Sequence, residues 1–170
     1  MKAINACRGW VRALSVMALL WGVSAAAQPA PPSITVVVTT DALEGTARDL
    51  VVASVVDAGI LQSGAPVTMT LRILDEHDAV LATVTGTVSP TAPLRVSTRA
   101  PSSAGVRAQL ILPPNTGPLS AGVLVLEREG QGEPPPPPTK VVCEIPAQDP
   151  DTGMPEPVTM KTCSVVPVET

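Results

Sequence analysis

The sequence has 170 residues, a formal net charge of −4 at pH 7 and one histidine, and its only aromatic side chains are Trp10 and Trp21. This length is typical of one domain with short appended segments, and the acidic balance argues against nucleic acid as a partner because phosphate binding needs clustered Lys and Arg. Beyond residue 21 the chain has no Phe, Tyr or Trp ring on which single-stranded nucleic acid could stack.

Residues 1–27 have the three regions of a secretory signal peptide: a basic start, an apolar run of eleven residues at 13–23, and small residues ending at Ala27. The run is shorter than the roughly 20 apolar residues that a spanning helix needs. We therefore expect cleavage between Ala27 and Gln28, an extracytoplasmic protein, and no membrane attachment after cleavage. An uncleaved anchor or a buried N-terminal helix is the alternative interpretation.

Cleavage makes the mature chain more acidic. The removed segment holds three of the 11 basic residues and no acidic one, so 8 Lys and Arg remain against 15 Asp and Glu, a net charge of −7. Such a surface disfavours adsorption to anionic lipid as well as to nucleic acid.

After a proline-rich arm at 28–33, short runs rich in β-branched residues predict about seven strands. These runs occupy 34–40, 50–56, 67–73, 80–88, 94–98, 106–112 and 122–127. Turn residues separate them, and no segment has a long amphipathic helical pattern. This arrangement favours an all-β, antiparallel sandwich over 34–128.

The sole histidine lies in the segment Asp75-Glu76-His77-Asp78, between two runs in which apolar and polar residues alternate. Asp suits hairpin turns because it tolerates positive φ and binds its own backbone. We therefore interpret this segment as a hairpin tip. A metal site is the weaker hypothesis, since consecutive strand residues point to opposite faces and no second histidine exists.

The composition changes after Arg128. Residues 129–140 predict a linker, and the five prolines at 134–138 favour a stiff polyproline II spacer. Residues 141–170 hold both cysteines of the mature chain, Cys143 and Cys163. In an exported protein these residues most simply form a disulfide, which would close a small C-terminal hairpin. Free thiols or an intermolecular bridge are the alternatives.

The loop of this predicted hairpin carries Asp149, Asp151 and Glu156, which resemble part of a calcium loop. The EF-hand spacing fails, because Gly153 and Met160 stand where ligands belong. A turn between two strands is the preferred interpretation, and weak calcium binding stays open.

Catalytic motifs are absent from the sequence. It has no G-x-S-x-G elbow, no glycine-rich phosphate loop and no dinucleotide fingerprint. A histidine-based mechanism would depend on His77, and a cysteine nucleophile on a residue better used in a disulfide. We therefore predict no catalytic, metal or cofactor site, with a hydrolase lacking a recognisable motif as the alternative.

Four runs within residues 50–127 form a recognisable pattern: LVVASVV at 50–56, APVTMTLRILD at 65–75, AVL at 79–81 and GVRAQL at 105–110. This pattern resembles that of secreted bacterial proteins with immunoglobulin-like sandwiches of unknown role. Asp57 and Asp78 depart from the Asn and Gly that are usual there. The resemblance implies an immunoglobulin-like fold and no functional residues.

These features together predict an exported, non-catalytic binding or structural module with an unknown protein partner. Sheet edges or the C-terminal loop would make the contacts. The alternative is that the loop around Met154 acts as a protease-inhibitor-like bait.

Overall fold

The computed structural model describes residues 33–57, 67–89, 91–114, 122–131, 139–146, 151–152, 154–155, 157 and 163–169. These residues form nine strands and no helix. The strands are β1 (Ile34–Thr40), β2 (Leu50–Asp57), β3 (Val67–Leu74), β4 (Val80–Val88), β5 (Leu94–Arg99), β6 (Arg107–Leu112), β7 (Gly122–Glu129), β8 (Thr139–Glu144) and β9 (Cys163–Glu169). The predicted signal segment and the five prolines of the linker lie outside the described residues.

The strands form two antiparallel sheets, which confirms the predicted all-β sandwich. Sheet 1 has the order β4-β3-β6-β1-β9, and sheet 2 has the order β5-β2-β7-β8. The seven predicted strands correspond to β1–β7, with ends that differ by at most two residues. Within the described residues, no helix is long and apolar enough to cross a membrane.

The core lies between the two sheets and follows from the alternation of each strand. In β1, for example, Val36 and Val38 are fully buried while Val37 between them is half-buried. Successive side chains of a strand point to opposite faces, so each strand contributes every second residue to the core. Aliphatic side chains fill it, including Val51, Val55, Met69, Leu71, Ile73, Leu110, Leu124 and Leu126. Each such burial contributes about 1.5–3 kcal/mol.

The two C-terminal strands correct the prediction of a hairpin in which they pair with each other. Instead, β8 pairs with β7 at one edge of sheet 2, and β9 pairs with β1 at one edge of sheet 1. An isolated two-stranded hairpin is at best marginally stable in water. Each strand gains a longer ladder and a share of the common core by extending an existing sheet.

Covalent connections close both flanks of the sandwich. The predicted disulfide between Cys143 and Cys163 is present, with a Cα–Cα distance of 5.8 Å, and it joins edge strand β8 of sheet 2 to edge strand β9 of sheet 1. On the opposite flank, Ser89 after β4 and Ala92 before β5 exchange backbone hydrogen bonds of 3.1 and 3.2 Å. Both connections hold the sheets in one alignment.

Candidate functional site

The acidic segment around His77 is the turn of the β3–β4 hairpin, as the sequence predicts. The Oδ1 atom of Asp75 accepts hydrogen bonds of 2.8 Å from the backbone N–H groups of His77 and Ala79. Asp78 has a φ of 62°, a left-handed conformation that Asp tolerates better than most residues. The carboxylate of Asp75 therefore organises the turn, and its pKa is lowered because the N–H groups of Ala79 and His77 stabilise the charged form.

The His77 imidazole projects from this turn into solvent, with 79% of its side chain exposed. Its Nδ1 atom lies 3.6 Å from the carboxylate of Glu76. On the neighbouring strand, Nη2 of Arg107 lies 3.4 Å from Asp78 Oδ1. Among the described residues, no three His, Cys, Asp or Glu side chains converge on a point where a metal ion could bind. The arrangement produces an exposed, charged loop tip.

The two cysteines are committed to the disulfide, so neither has a thiol to serve as a nucleophile. Cys143 is fully buried and belongs to the core, and Cys163 is half-buried beside it. Their role in this structure is to join the sheets.

The C-terminal loop is described only in part. Asp151 and Met154 are exposed, whereas Asp149 and Glu156 lie outside the described residues. The hypotheses of weak calcium binding and of a protease-inhibitor-like loop stay predictions.

The most elaborate polar network surrounds Arg128, a residue that the sequence patterns did not single out. Its guanidinium is buried, and its Nε atom donates to Asp49 Oδ2 over 3.0 Å. The remaining donors bind backbone carbonyls at 2.7–2.9 Å; these belong to Leu43, Thr46, Ser102 and Ala104. All five N–H groups of the side chain are thus satisfied. The network ties the loops at 41–49 and 100–106 to β7.

The alternation of side chains along the neighbouring strands β7 and β2 explains why Arg128 and Asp49 lie together. In β7, Leu124 and Leu126 face the core, and Arg128 is the next residue of the same parity. Val51 of β2 faces the core, and Asp49, two residues earlier, points to the same side. Val51 pairs directly with Arg128. The alternation of the sequence could therefore have indicated this pair, because Asp49 and Arg128 both stand at positions where an inward-facing side chain is expected.

Two hydrogen bonds from Thr46 stabilise the charged form of the buried Asp49 carboxylate. The backbone N–H of Thr46 donates to Asp49 Oδ2 over 2.6 Å, and the Thr46 hydroxyl hydrogen-bonds to Oδ1. Burial by itself raises the pKa of Asp49, but the hydrogen bonds from Thr46 and the contact with Arg128 outweigh it, so the pKa is lowered. Glycine is required at position 45, since a Cβ on Gly45 would lie only 2.4 Å from Arg128 Nε.

The outer surfaces include one apolar sheet edge. On β9, the edge strand of sheet 1, Val166 is 51% and Val168 is 43% exposed. They adjoin Val37 and Thr35 of β1 on the outer face of the same sheet. On β4, at the opposite edge, Val80 is also 51% exposed.

No family model, curated protein or solved structure matches the chain. A fold alone does not identify a function, so the function is argued from the surfaces and groups of this chain.

Proposed function

We propose that the chain is an exported, non-catalytic binding module with an immunoglobulin-like sandwich, and that it recognises a protein partner through strand β9. The exposed Val166 and Val168 on this edge carry the proposal. A segment of the partner would contact the side chains of Val166 and Val168 on the outer face of β9. Pro167 between them has no N–H to donate, so side chains rather than a continued ladder would make the contact.

Export is supported by two independent features. The basic, apolar and small-residue regions of 1–27 match a signal peptide, and the Cys143–Cys163 disulfide suits an oxidising compartment. A non-catalytic role is supported by the structural roles of the side chains that could have been catalytic. The cysteines bridge the sheets, and the segment that holds His77 serves as a solvated turn.

The rigidity of the sandwich also suits a binding module. The disulfide joins β8 to β9, which limits how far the proposed binding strand can move away from the core. Preorganisation of a binding element reduces the entropy lost when a complex forms.

A crosslinked pull-down from the native envelope and medium tests the proposal, with an affinity tag inserted between Gln28 and Pro29. Val166→Lys should lose a partner that the wild-type chain retains, because it places a charge on the proposed contact strand. Val80→Lys is the matched control, since Val80 is equally exposed on the opposite edge of the same sheet. Equal recovery of every partner by both variants would remove β9 as the binding edge.

A further inference from the structure

The two sheets of the sandwich end in four edge strands, and three of these carry residues that discourage pairing with another chain. An open strand edge pairs readily with a further strand, and proteins prevent this with charged side chains or proline on the edge. Strand β5 exposes Arg95 and Arg99, strand β8 exposes Lys140, and strand β9 contains Pro167. The fourth edge strand, β4, has neither a charged residue nor a proline.

Strand β4 is also the longest of the described strands, with the sequence VLATVTGTV. It lies at the end of sheet 1, and within the described part of the chain only β3 pairs with it. A register shift opposite Ile73 and Leu74 interrupts the ladder near the start of β4. The regular part of this uncharged edge therefore comprises residues 82–88.

The hydrogen bonds of the β3–β4 hairpin show which backbone groups lie on the open side of β4. The N–H of Asp75 donates to the carbonyl of Ala79, so Asp75 directs its backbone toward the β4 side. Every second residue of β3 has the same orientation, and these residues lie opposite Ala82, Val84 and Gly86. The residues between them direct their N–H and C=O groups away from β3; they are Thr83, Thr85 and Thr87.

Contacts with the rest of the sandwich hold this edge in place. Val84 packs against the core, and Leu94 of β5 lies beneath Gly86, where an added Cβ would be 2.9 Å from its Cδ1 atom. On the outer face, the hydroxyl groups of Thr85 and Thr70 are 2.8 Å apart. The edge is therefore formed before any partner arrives, which reduces the entropy lost on binding.

Unpaired N–H and C=O groups along an edge are satisfied by another strand, and a second copy of β4 fits this edge. A two-fold axis perpendicular to sheet 1 at Thr85 sets the two β4 strands antiparallel and places Thr85 opposite itself. Thr83 then lies opposite Thr87 of the other copy, and each threonine pair exchanges two backbone hydrogen bonds. On the inner face Val84 lies opposite Gly86, so two bulky side chains do not meet there.

The charges near β4 are compatible with this pairing. Residues 82–88 are uncharged, and the acidic turns at 75–78 of the two copies lie at opposite ends of the paired strands. Strand β5 provides the contrast. Antiparallel pairing of two β5 strands centred at Ser97 would place Arg95 opposite Arg99, and like charges directly opposite each other destabilise a strand pair.

We propose that two copies of this chain form a homodimer by antiparallel pairing of their β4 strands, which joins the two copies of sheet 1 into one continuous sheet. One strand from each copy is a small contact beside a standard protein interface, so the dimer is weak and depends on concentration. Strand β9 lies at the opposite edge of sheet 1, so its outer valines stay outside the dimer contact.

Sedimentation velocity of the disulfide-bonded chain, over a concentration series, tests the proposal. The wild type should pass from monomer to dimer as its concentration rises. Thr85→Pro should abolish the dimer, because proline removes the N–H that bonds to the other copy. Its monomer should stay folded by circular dichroism, because this N–H points away from β3 and proline is tolerated at such edge positions. Thr39→Lys, on the outer face of the interior strand β1, should leave the dimer unchanged.

A pair of charge variants tests the alignment of the two strands. Thr85→Lys and Thr85→Glu should each weaken the dimer about fivefold or more at low salt, because each places like charges opposite each other at the two-fold axis. An equimolar mixture of the two variants should dimerise, since lysine then faces glutamate. A wild type that stays monomeric at millimolar concentration would overturn the proposal. So would a dimer that Val166→Lys dissociates and that persists in all three Thr85 variants.

Discussion

Arg128 Nε lies 3.0 Å from Asp49 Oδ2 in the interior of the sandwich, although 79 residues separate the two in the chain. A buried ion pair stabilises a fold only when its remaining donors and acceptors are also satisfied. Here four backbone carbonyls take the other N–H groups of Arg128, and Thr46 donates to the carboxylate. The pair thus closes one end of the sandwich, where the loops at 41–49 and 100–106 meet β7.

Removal of the arginine should be strongly destabilising. Arg128→Ala leaves Asp49 charged and buried without its partner, and it also leaves four carbonyls unpaired. We expect the free energy of unfolding to fall by about 3–5 kcal/mol, measured by urea denaturation. Arg95→Ala is the control, since an exposed arginine should change the value by less than about 0.5 kcal/mol. Equal midpoints for both variants would show that the pair does not stabilise the fold.

The same pair should make stability depend on pH. The pKa of Asp49 in the folded chain lies below its ordinary value of 3.8, so folding favours the charged form. This contribution is present above the unfolded value and is lost as pH falls through the folded pKa. The difference in unfolding free energy between wild type and Asp49→Asn should therefore shrink between about pH 5 and pH 2. If the difference in unfolding free energy between wild type and Asp49→Asn stayed constant over this pH range, the lowered pKa of Asp49 would be contradicted.

The strands could be predicted from sequence because their signal is local. In β3, for example, Met69, Leu71 and Ile73 alternate with Thr and Arg, and the same three residues are buried in the structure. The turn at Asp75–Asp78 was predictable for the same reason, because its hydrogen bonds lie within five residues. Period and turn chemistry need no knowledge of distant parts of the chain.

The pairing of the C-terminal strands could not be predicted in this way, because it depends on strands far away in the sequence. Cys143 and Cys163 suggested a hairpin since they are 20 residues apart, but the free edges of β7 and β1 offered longer ladders. Arg128 was missed for a different reason. The predicted strand ended at Glu127, one residue before the inward position that the alternation would have assigned to the arginine.

Gly45 gives a steric test of the same buried pair. An added Cβ would lie 2.4 Å from Arg128 Nε and 2.6 Å from Asp49 Oδ2, so Gly45→Ala must displace one of them. We expect a loss of about 1–3 kcal/mol, as for other overpacked interior sites, measured by thermal and urea denaturation. Gly86→Ala is the comparison, because its Cβ would meet only the end of the Leu94 side chain, at 2.9 Å. A smaller loss for Gly45→Ala than for Gly86→Ala would contradict the argument.

The hairpin tip allows the role of its carboxylate to be separated from that of its histidine. Asp75→Ala removes the acceptor of the two 2.8 Å backbone hydrogen bonds and should lower the urea midpoint. Asp75→Asn retains an oxygen at Oδ1 and should lower it less. His77→Ala should leave the midpoint unchanged, since the imidazole is exposed. A larger effect of His77→Ala than of Asp75→Ala would show that the histidine has a role beyond the turn.

The disulfide should stabilise the sandwich through both the unfolded and the folded state. It closes a loop between residues 20 apart, which in the chain-entropy model contributes about 3 kcal/mol. It also joins the edge strands of opposite sheets, so its loss should release β9 before the rest of the core. We expect Cys143→Ser with Cys163→Ser to lower the unfolding free energy by about this amount. In that variant, hydrogen exchange should be accelerated first in β9. The Arg95→Ala variant, with its disulfide intact, is the control. Uniform acceleration over all strands, with β9 no faster than β3, would mean that the disulfide stabilises the whole fold without a separate role in holding the edge strand.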